Sequence, residues 1–345
     1  MNNPYSIIFG SEPDQMISRI TQREQVLRSF QAKTLSQMVY MITGVRGMGK
    51  TVFMTEIADQ LRKQSEWIVV ELNPERDMLT ELASKLSSEH KLAKIFKAAK
   101  INLSAWGFGL EVSGTVPITD IDTALERMLE SLKKEGKKIL ITIDEVTNSR
   151  QMKVFAGSFQ IFLRRKLPLC LLMTGLYENI HSLQNEKNLT FLYRAPRIDL
   201  KPLNIGNIAS SYKRVFDLDD EASLSMARLT NGYSFAFQVL GYFTWENNCI
   251  FDDSVFDLYK QYLDDYVYEK IWSELTRTDR KILYALAQTP SGRVSDVREL
   301  AGMTTNNFNP YRQKLIKKGL LNGDEWGYIR FVLPLFDRYV LENYI

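Results

Sequence analysis

Three glycines, a lysine and a threonine lie close together in MITGVRGMGKTVFM, residues 41–54. Gly44, Gly49, Lys50 and Thr51 satisfy the spacing G-x-x-x-x-G-K-[ST]. Glycines permit positive φ angles, so backbone N–H groups can surround a phosphate chain, to which the lysine adds positive charge. A threonine hydroxyl at this position is a ligand for Mg²⁺. The spacing therefore predicts a site for ATP and Mg²⁺.

The residues on either side of this loop have the pattern that phosphate binding requires. QMVYMIT, before the loop, is apolar and typical of a strand. After the loop, Phe53, Ile57 and Leu61 recur on one helical face. A helix that starts here points its positive end at a bound phosphate. The predicted nucleotide-binding residues are Gly44, Val45, Arg46, Gly47, Met48, Gly49, Lys50, Thr51 and Val52.

Two acids end a second apolar segment, KKILITIDEV at 137–146. We expect a strand that places Asp144 and Glu145 beside the loop if the two strands are neighbours in the sheet. Asp144 would then hold Mg²⁺ together with Thr51, and Glu145 would polarise an attacking water. Hydrolysis needs such a residue, whereas nucleotide storage does not. The alternative is that both acids are solvated at the end of a strand.

Polar residues near the ends of later strands are further catalytic candidates. Thr174, in CLLMTG, would bond the γ-phosphate or the water, or else satisfy the turn at Gly175. Arg194 and Arg197, in FLYRAPRIDL, either stabilise the transferring phosphate, in the same chain or across a subunit interface, or form structural ion pairs.

The order of the patterns predicts three domains. Residues 1–203 alternate strands and helices, which predicts a P-loop NTPase parallel sheet with helices on both faces. A helix near 91–99 and a hairpin insertion at about 101–118 interrupt this repeat. Residues 204–274 have helical patterns only and predict a lid domain. Residues 275–345 end with the strand GYIRFVLP after several helical stretches and predict a winged helix.

Composition narrows the class of protein. Of 345 residues, 45% are hydrophobic and 25% are charged, which is typical of a globular protein. Cys170 and Cys249 are far apart and His90 and His181 are isolated, so we expect neither a disulfide framework nor a zinc site. The absence of a long apolar run and of a secretory start predicts a cytoplasmic protein without a membrane span.

These segments together resemble the P-loop ATPases of the AAA+ and STAND groups, in particular the origin-recognition ATPases. The similarity covers nearly the whole chain and rests on GVRGMGKT, ILITIDE, LMTG, RAPRIDLKPL and FVLPLF. It implies a nucleotide-dependent switch. It also implies that Arg23, in ITQREQVL, lies against adenine, although Gln22 replaces the family glycine. TNGYSFAFQ lacks the lid arginine of origin-type members and is similar to the STAND G-x-P signature, with Ser234 in place of proline.

The C-terminal region carries an excess of positive charge. Residues 275–345 contain eleven Lys or Arg and seven Asp or Glu. In a winged helix the second helix of the helix-turn-helix enters the major groove, and residues 304–319 are the candidate. The residues predicted to face double-stranded DNA are Asn306, Asn309, Arg312, Gln313, Lys314, Lys317 and Lys318.

The same helix requires a core-facing side. Phe308, Tyr311 and Leu315 would face the domain core. Pro310 would be tolerated only if the helix began near Asn307, which would put the proline ring in the first turn.

Three functions fit these patterns. The leading hypothesis is a switch that hydrolyses ATP slowly and binds DNA through the winged helix. The alternative is a STAND-like signalling or defence ATPase whose winged helix binds a protein; nucleotide-dependent homo-oligomers are open in both cases. A P-loop metabolic kinase is disfavoured because the C-terminal region shows no acceptor pocket and Glu145 favours water as the nucleophile.

Overall fold

The computed structural model describes the chain in four ranges: 2–8, 13–32, 37–88 and 121–344. The predicted helix at 91–99 and the predicted hairpin insertion lie outside these ranges. The chain divides into two compact units, which we describe separately. The sheet unit comprises Arg19–Thr43 and Phe53–Asp199, and the loop unit comprises Met1–Ser18, Gly44–Val52 and Leu200–Ile345.

The sheet unit is built on parallel strands. They are β1 Val39–Thr43, β2 Trp67–Leu72, β3 Lys138–Ile143, β4 Leu169–Gly175 and β5 Arg197–Asp199. Their spatial order is β2-β3-β4-β1-β5. The register pairs Thr43 with Gly175 and Ile143 with Met173, so the carboxyl ends of β1, β3 and β4 share one edge. The assumption that β1 and β3 are neighbours was wrong, because β4 lies between them.

Helices cover both faces of this sheet, which confirms the predicted layers. They are α1 Ile20–Gln31, α2 Lys50–Arg62, α3 Met78–Ser87, α4 Ile121–Lys134, α5 Arg150–Arg164, α6 Tyr177–Gln184 and α7 Thr190–Tyr193; α2 begins in the loop unit. Met41 and Ile141 belong to the core that includes apolar residues of α3, α4 and α5. On the opposite face, Phe30 of α1 meets Tyr40 edge to face at 5.6 Å. Every residue of β4 is buried as a result.

Within the loop unit, the region from α8 to α12 is helical, as predicted. It contains α8 Ile205–Phe216, α9 Asp220–Arg228, α10 Ser234–Glu246, α11 Asp253–Leu263, a π-helical turn Asp264–Tyr268, and α12 Glu269–Ser273. Tyr5 from the N-terminal segment lies among the rings of Tyr212, Phe216 and Phe237. This aromatic cluster ties the start of the chain to α8 and α10.

The C-terminal part combines helices with a short antiparallel hairpin. Its elements are α13 Arg277–Ala287, α14 Val294–Leu300, α15 Thr305–Lys317, β6 Leu321–Asn322, β7 Arg330–Phe331 and α16 Phe336–Asn343. Thr304 caps α15, so Pro310 lies inside the helix and the predicted start near Asn307 was wrong. The ring removes the bond to the carbonyl of Asn306, an exposed residue that water can solvate. Among the described residues no helix is both long and apolar enough to cross a bilayer.

Two helical glycines provide a test of this packing. A Cβ atom added at Gly241 of α10 would lie 2.5 Å from the Tyr5 ring, whereas one at Gly157 of α5 would meet nothing within 4 Å. We expect Gly241→Ala to lower the free energy of unfolding by about 1–3 kcal/mol through overpacking. Gly157→Ala is the control and should raise it by about 0.5–1 kcal/mol through helix propensity. Urea titration measures both, and equal effects would contradict the described contact.

Candidate functional site

The glycine loop between β1 and α2 has the backbone conformation that its sequence predicts. Gly47 and Gly49 have φ angles of 73° and 85°, a region that side chains rarely adopt. The Met48 N–H donates to the Val45 carbonyl at 3.2 Å and closes a turn inside the loop. The helix α2 begins at Lys50, immediately after Gly49. The loop therefore joins glycine-dependent curvature to a helix N-terminus, as anion binding requires.

Lys50 is held at the start of the loop by main-chain oxygens. Its Nζ atom donates to the Gly44 carbonyl at 3.0 Å and to the Val45 carbonyl at 3.1 Å. These two bonds fix the position of the ammonium group at the start of the loop. The charge of Lys50 is thus placed beside the loop that is predicted to receive phosphates.

The start of α10 contacts the same loop, a contact that our sequence analysis missed. Tyr233 Oη donates to the carbonyl of Arg46 at 2.6 Å, and Ser234 Oγ donates to the carbonyl of Met48 at 3.1 Å. The backbone N–H of Phe235 donates to the carbonyl of Gly47 at 3.0 Å. The sequence pattern of TNGYSFAFQ predicted a lid segment, but its residue types did not indicate that it binds the glycine loop.

Two further contacts reach the loop from residues that follow α12 and α15. The Arg46 guanidinium forms an ion pair with Glu274 at 2.9 Å. Burial would raise the pKa of Glu274, but the Arg46 guanidinium and the Lys270 ammonium hold it below its ordinary value. Gly319, which has a φ of 78°, follows α15 and lies against the loop. A Cβ atom added to Gly319 would be 3.6 Å from the Val45 nitrogen.

At the carboxyl edge of the sheet unit, Thr174 connects the two predicted acids. Its hydroxyl donates to Asp144 Oδ1 and accepts from the Glu145 N–H at 3.1 Å. Glu145 has a φ of 51°, which is uncommon for a residue with a side chain. The Thr174 side chain is fully buried, while Glu145 is exposed. Thr174 therefore orients the Asp144 carboxylate and supports the turn at Glu145. Its bond to the γ-phosphate or to the attacking water stays a prediction.

Arg23 lies in the sheet unit with its guanidinium on acidic partners. It forms an ion pair with Glu56 of α2 and a second one with Glu24 at 3.3 Å. The Glu56 side chain is buried, so the Arg23 charge compensates a carboxylate inside the unit. This anchors the predicted adenine-facing segment to the helix that follows the glycine loop.

The structure separates the roles of the two candidate arginines. Arg197, the first residue of β5, pairs with Asp199 at 2.9 Å and lies over the Tyr177 ring at 5.0 Å, which is a structural ion pair. Arg194 precedes β5 and lines an open pocket with Val39, the first residue of β1. It is therefore at the amino edge of the sheet, opposite to Thr174.

The residues predicted to face DNA differ in their exposure. The exposed members are Asn306, Asn309, Gln313 and Lys317, and the half-buried members are Arg312, Lys314 and Lys318. Lys314 forms an ion pair at 2.7 Å with Asp279, which is fully buried. Burial would raise the pKa of Asp279, but Lys314 and Thr276 hold it below its ordinary value. The ion pair leaves the Lys314 side chain 36% exposed, so its contact with DNA stays a prediction. Phe308 and Leu315 are buried as predicted, whereas Tyr311 is only half-buried.

The sheet and the glycine loop define the class of fold, which is that of the P-loop ATPases. Residues 21–191 match the family model described as an ATPase domain predominantly from Archaea. Residues 265–340 match a family model described as a domain of unknown function. No curated protein is significantly similar in sequence.

Solved structures agree with this fold. The Walker-type ATPase Paby2304 of Pyrococcus abyssi superposes with a TM-score of 0.63 at 17% sequence identity, covering 95% of this chain and 97% of that one. The Aeropyrum pernix ORC2 protein, in its ADPNP-ADP complexes, superposes with a TM-score of 0.60 at 14% identity, covering 97% and 95%. The predicted fold is therefore confirmed at the level of architecture.

The Thr174 bridge can be tested by stability alone. Thr174→Val keeps the shape of the side chain but removes the hydroxyl that bonds Asp144 and the Glu145 N–H. We expect the free energy of unfolding in urea to fall by about 1–2 kcal/mol because buried polar groups lose a partner. Thr142→Val is the control, since this buried threonine of β3 is not part of the bridge. Equal losses in both variants would show that the bridge contributes nothing specific.

Proposed function

We propose that the chain binds ATP with Mg²⁺ at the glycine loop and hydrolyses it slowly. The observation that carries this proposal is the loop itself, with positive φ at Gly47 and Gly49 and with Lys50 fixed on two loop carbonyls. Backbone amides in such a loop bind phosphate oxygens, and the lysine neutralises their charge. The family match of residues 21–191 to ATPase domains supports the same conclusion.

The residues that would hold Mg²⁺ have suitable chemistry. Thr51 offers a hydroxyl oxygen in the first turn of α2, and Asp144 offers a carboxylate that Thr174 orients. Mg²⁺ prefers such oxygen ligands and usually retains several waters. When bound, it would offset the negative charge of the phosphates during transfer.

Glu145 is the residue that we assign to water activation. Its backbone takes a left-handed conformation and its N–H is bound by Asp144 and Thr174, so the side chain leaves the sheet edge in a fixed direction. Non-glycine residues in this conformation cluster at functional sites, where surrounding contacts maintain them. An exposed carboxylate next to Asp144, the proposed Mg²⁺ ligand, is suited to polarising water.

Glu145→Gln is the variant that tests this assignment. We expect its affinity for Mg-ATP in calorimetry to equal that of the wild type, because the phosphate loop is untouched. Phosphate release should fall at least about 100-fold, because a carboxamide does not accept the water proton. Glu130→Gln, at an exposed position of α4, is the control and should retain full turnover. Normal turnover by Glu145→Gln would refute the role.

Arg194 has a place in this proposal only across a subunit interface. Its position at the amino edge of the sheet, opposite to Thr174 and Asp144, does not favour a role at the same chain's phosphates. An exposed guanidinium there is available to a neighbouring subunit, where it would stabilise phosphate charge in a nucleotide-dependent homo-oligomer. Arg197 is omitted, since Asp199 and Tyr177 occupy its guanidinium.

We further propose that the C-terminal part is a winged helix and that α15 contacts double-stranded DNA. The order α13, α14, α15 and the β6–β7 hairpin is the one that a winged helix has, and an isolated antiparallel β-bridge joins Arg293 to Tyr328. Exposed Asn306, Asn309 and Gln313 are types that bond base edges, while Lys317 is suited to phosphates.

A second candidate function rests on the hairpin tip. Trp326 is 96% exposed, more than any other large hydrophobic side chain among the described residues. Asp324 and Glu325 precede it, so the tip carries negative charge that phosphates would repel. Tryptophan is enriched at the energetic centres of protein interfaces. These features support the alternative of a protein partner, with or without DNA bound at α15.

Salt dependence distinguishes the two ligands. If α15 contacts DNA, binding of a duplex should weaken steeply as salt rises above about 100 mM, because counterions are released. Lys317→Glu with Lys318→Glu should lower duplex affinity at least about tenfold and make the salt slope shallower by about 2. Lys133→Glu with Lys134→Glu, consecutive exposed lysines of α4, is the control. Equal loss in both double variants, or no duplex binding by the wild type, would favour a protein partner.

A further inference from the structure

Three carbonyl groups of the glycine loop accept hydrogen bonds from the start of one helix, α10. The carbonyls of Arg46, Gly47 and Met48 are consecutive, and each accepts one hydrogen bond from the start of α10. The donors Tyr233, Ser234 and Phe235 are also consecutive. We call these three bonds the carbonyl clamp.

The clamp fixes more than the carbonyls because each peptide group is planar. In a trans peptide the C=O of one residue and the N–H of the next point in opposite directions. Holding the carbonyls of Arg46 and Met48 on α10 therefore directs the N–H groups of Gly47 and Gly49 away from α10. These amides belong to the loop residues that surround a phosphate chain. The Met48 N–H between them closes the turn onto Val45.

Gly47 is required for this approach as well as for the curvature of the loop. A Cβ atom at Gly47 would lie 2.1 Å from Tyr233 Oη and 2.9 Å from Phe235 Cβ. No side chain fits there, so the glycine allows α10 to reach the loop backbone. In return, the Gly47 carbonyl satisfies an N–H in the first turn of α10, where no side chain of the cap residue does so.

Tyr233 is suited to a permanent donor role. Burial raises the pKa of its hydroxyl far above the ordinary tyrosine value, so the group stays protonated at every physiological pH. Its bond to the Arg46 carbonyl is the shortest of the three, at 2.6 Å.

We propose that Tyr233, Ser234 and Phe235 are positioning residues that set the affinity of the loop for a polyphosphate and link it to the placement of α10. This inference rests on the proposed nucleotide binding. A loop held by the clamp already has the backbone arrangement that phosphate requires, so binding costs less conformational entropy. By linkage, a phosphate ligand stabilises the clamp to the extent that the clamp favours the ligand.

Tyr233→Phe tests the clamp by removing one hydroxyl from a buried ring. Binding of Mg-ATP and of Mg-tripolyphosphate is measured by calorimetry, with the full chain. We expect both affinities to fall about fivefold, the effect of one hydrogen bond. Tyr212→Phe is a matched control, because Tyr212 is also fully buried and donates to a backbone carbonyl, that of Phe237, at 2.8 Å. It should change either affinity by less than about twofold.

Tripolyphosphate separates loop positioning from contact with the base. Weakened binding of ATP alone, with tripolyphosphate unaffected, would assign Tyr233 to the base and overturn the positioning role. Equal affinities of Tyr233→Phe and Tyr212→Phe, with a wild type that binds ATP, would also overturn it. A wild type that binds neither ligand refutes the proposed nucleotide binding, and the clamp's role falls with it.

Ser234 provides a second test if Tyr233→Phe does not fold. Ser234→Ala removes the bond to the Met48 carbonyl, and we expect a twofold to fivefold loss for both ligands, in the range of about one weak hydrogen bond. Ser234→Thr keeps a hydroxyl and should restore the affinity. Ser210→Ala is the control, since that hydroxyl donates to the Gly206 carbonyl at 2.9 Å within α8. Unchanged binding by Ser234→Ala would contradict the clamp.

Discussion

The structure of the glycine loop depends on what happens to its carbonyl groups. A loop that turns amides toward an anion must turn carbonyls the other way, and buried carbonyls without partners are costly. Val45 and Met48 are buried, so solvent alone does not meet this need. Lys50 bonds the carbonyls of Gly44 and Val45, and the start of α10 bonds the next three. The outer side of the loop is thus satisfied along its length, and α10 cannot leave without exposing part of it.

The same principle operates at the edge of the sheet unit. Asp144 and Glu145 follow the end of β3, and the hydroxyl of Thr174 in the adjacent β4 both donates and accepts a hydrogen bond there. One buried hydroxyl therefore sets the direction of a carboxylate and supports the left-handed backbone of Glu145. The direction of the Asp144 carboxylate therefore depends on the neighbouring strand, which explains why strand order matters for the site.

The glycine loop and the two acids after β3 were predictable from sequence, because the spacing of their residues determines the local backbone geometry. Glycines at 44, 47 and 49 require a particular backbone, and an apolar run that ends in two acids requires a sheet edge. The clamp was not predictable, because Tyr233 and Ser234 bond atoms 187 and 186 positions away in the chain and Phe235 acts through its main chain. The strand order was also hidden, since β1 and β3 have similar patterns whether or not β4 separates them. The ion pair of Lys314 was not predictable either, because helical periodicity does not reveal a buried acid such as Asp279 on another helix.

The charged residues of the C-terminal part favour one side of it over the other as a binding surface for nucleic acid. Lys317 and Lys318 lie at the end of α15, whereas Asp324 and Glu325 lie at the tip of the hairpin that follows. Arg330 pairs with Glu325 at 3.3 Å and offsets one of these two negative charges, so the net negative charge of the tip is small. A duplex would therefore be attracted to α15 and weakly repelled from the tip, which leaves Trp326 accessible while DNA is bound. If both proposed ligands bind, they need not compete for this domain, because α15 and the hairpin tip differ in charge and chemistry.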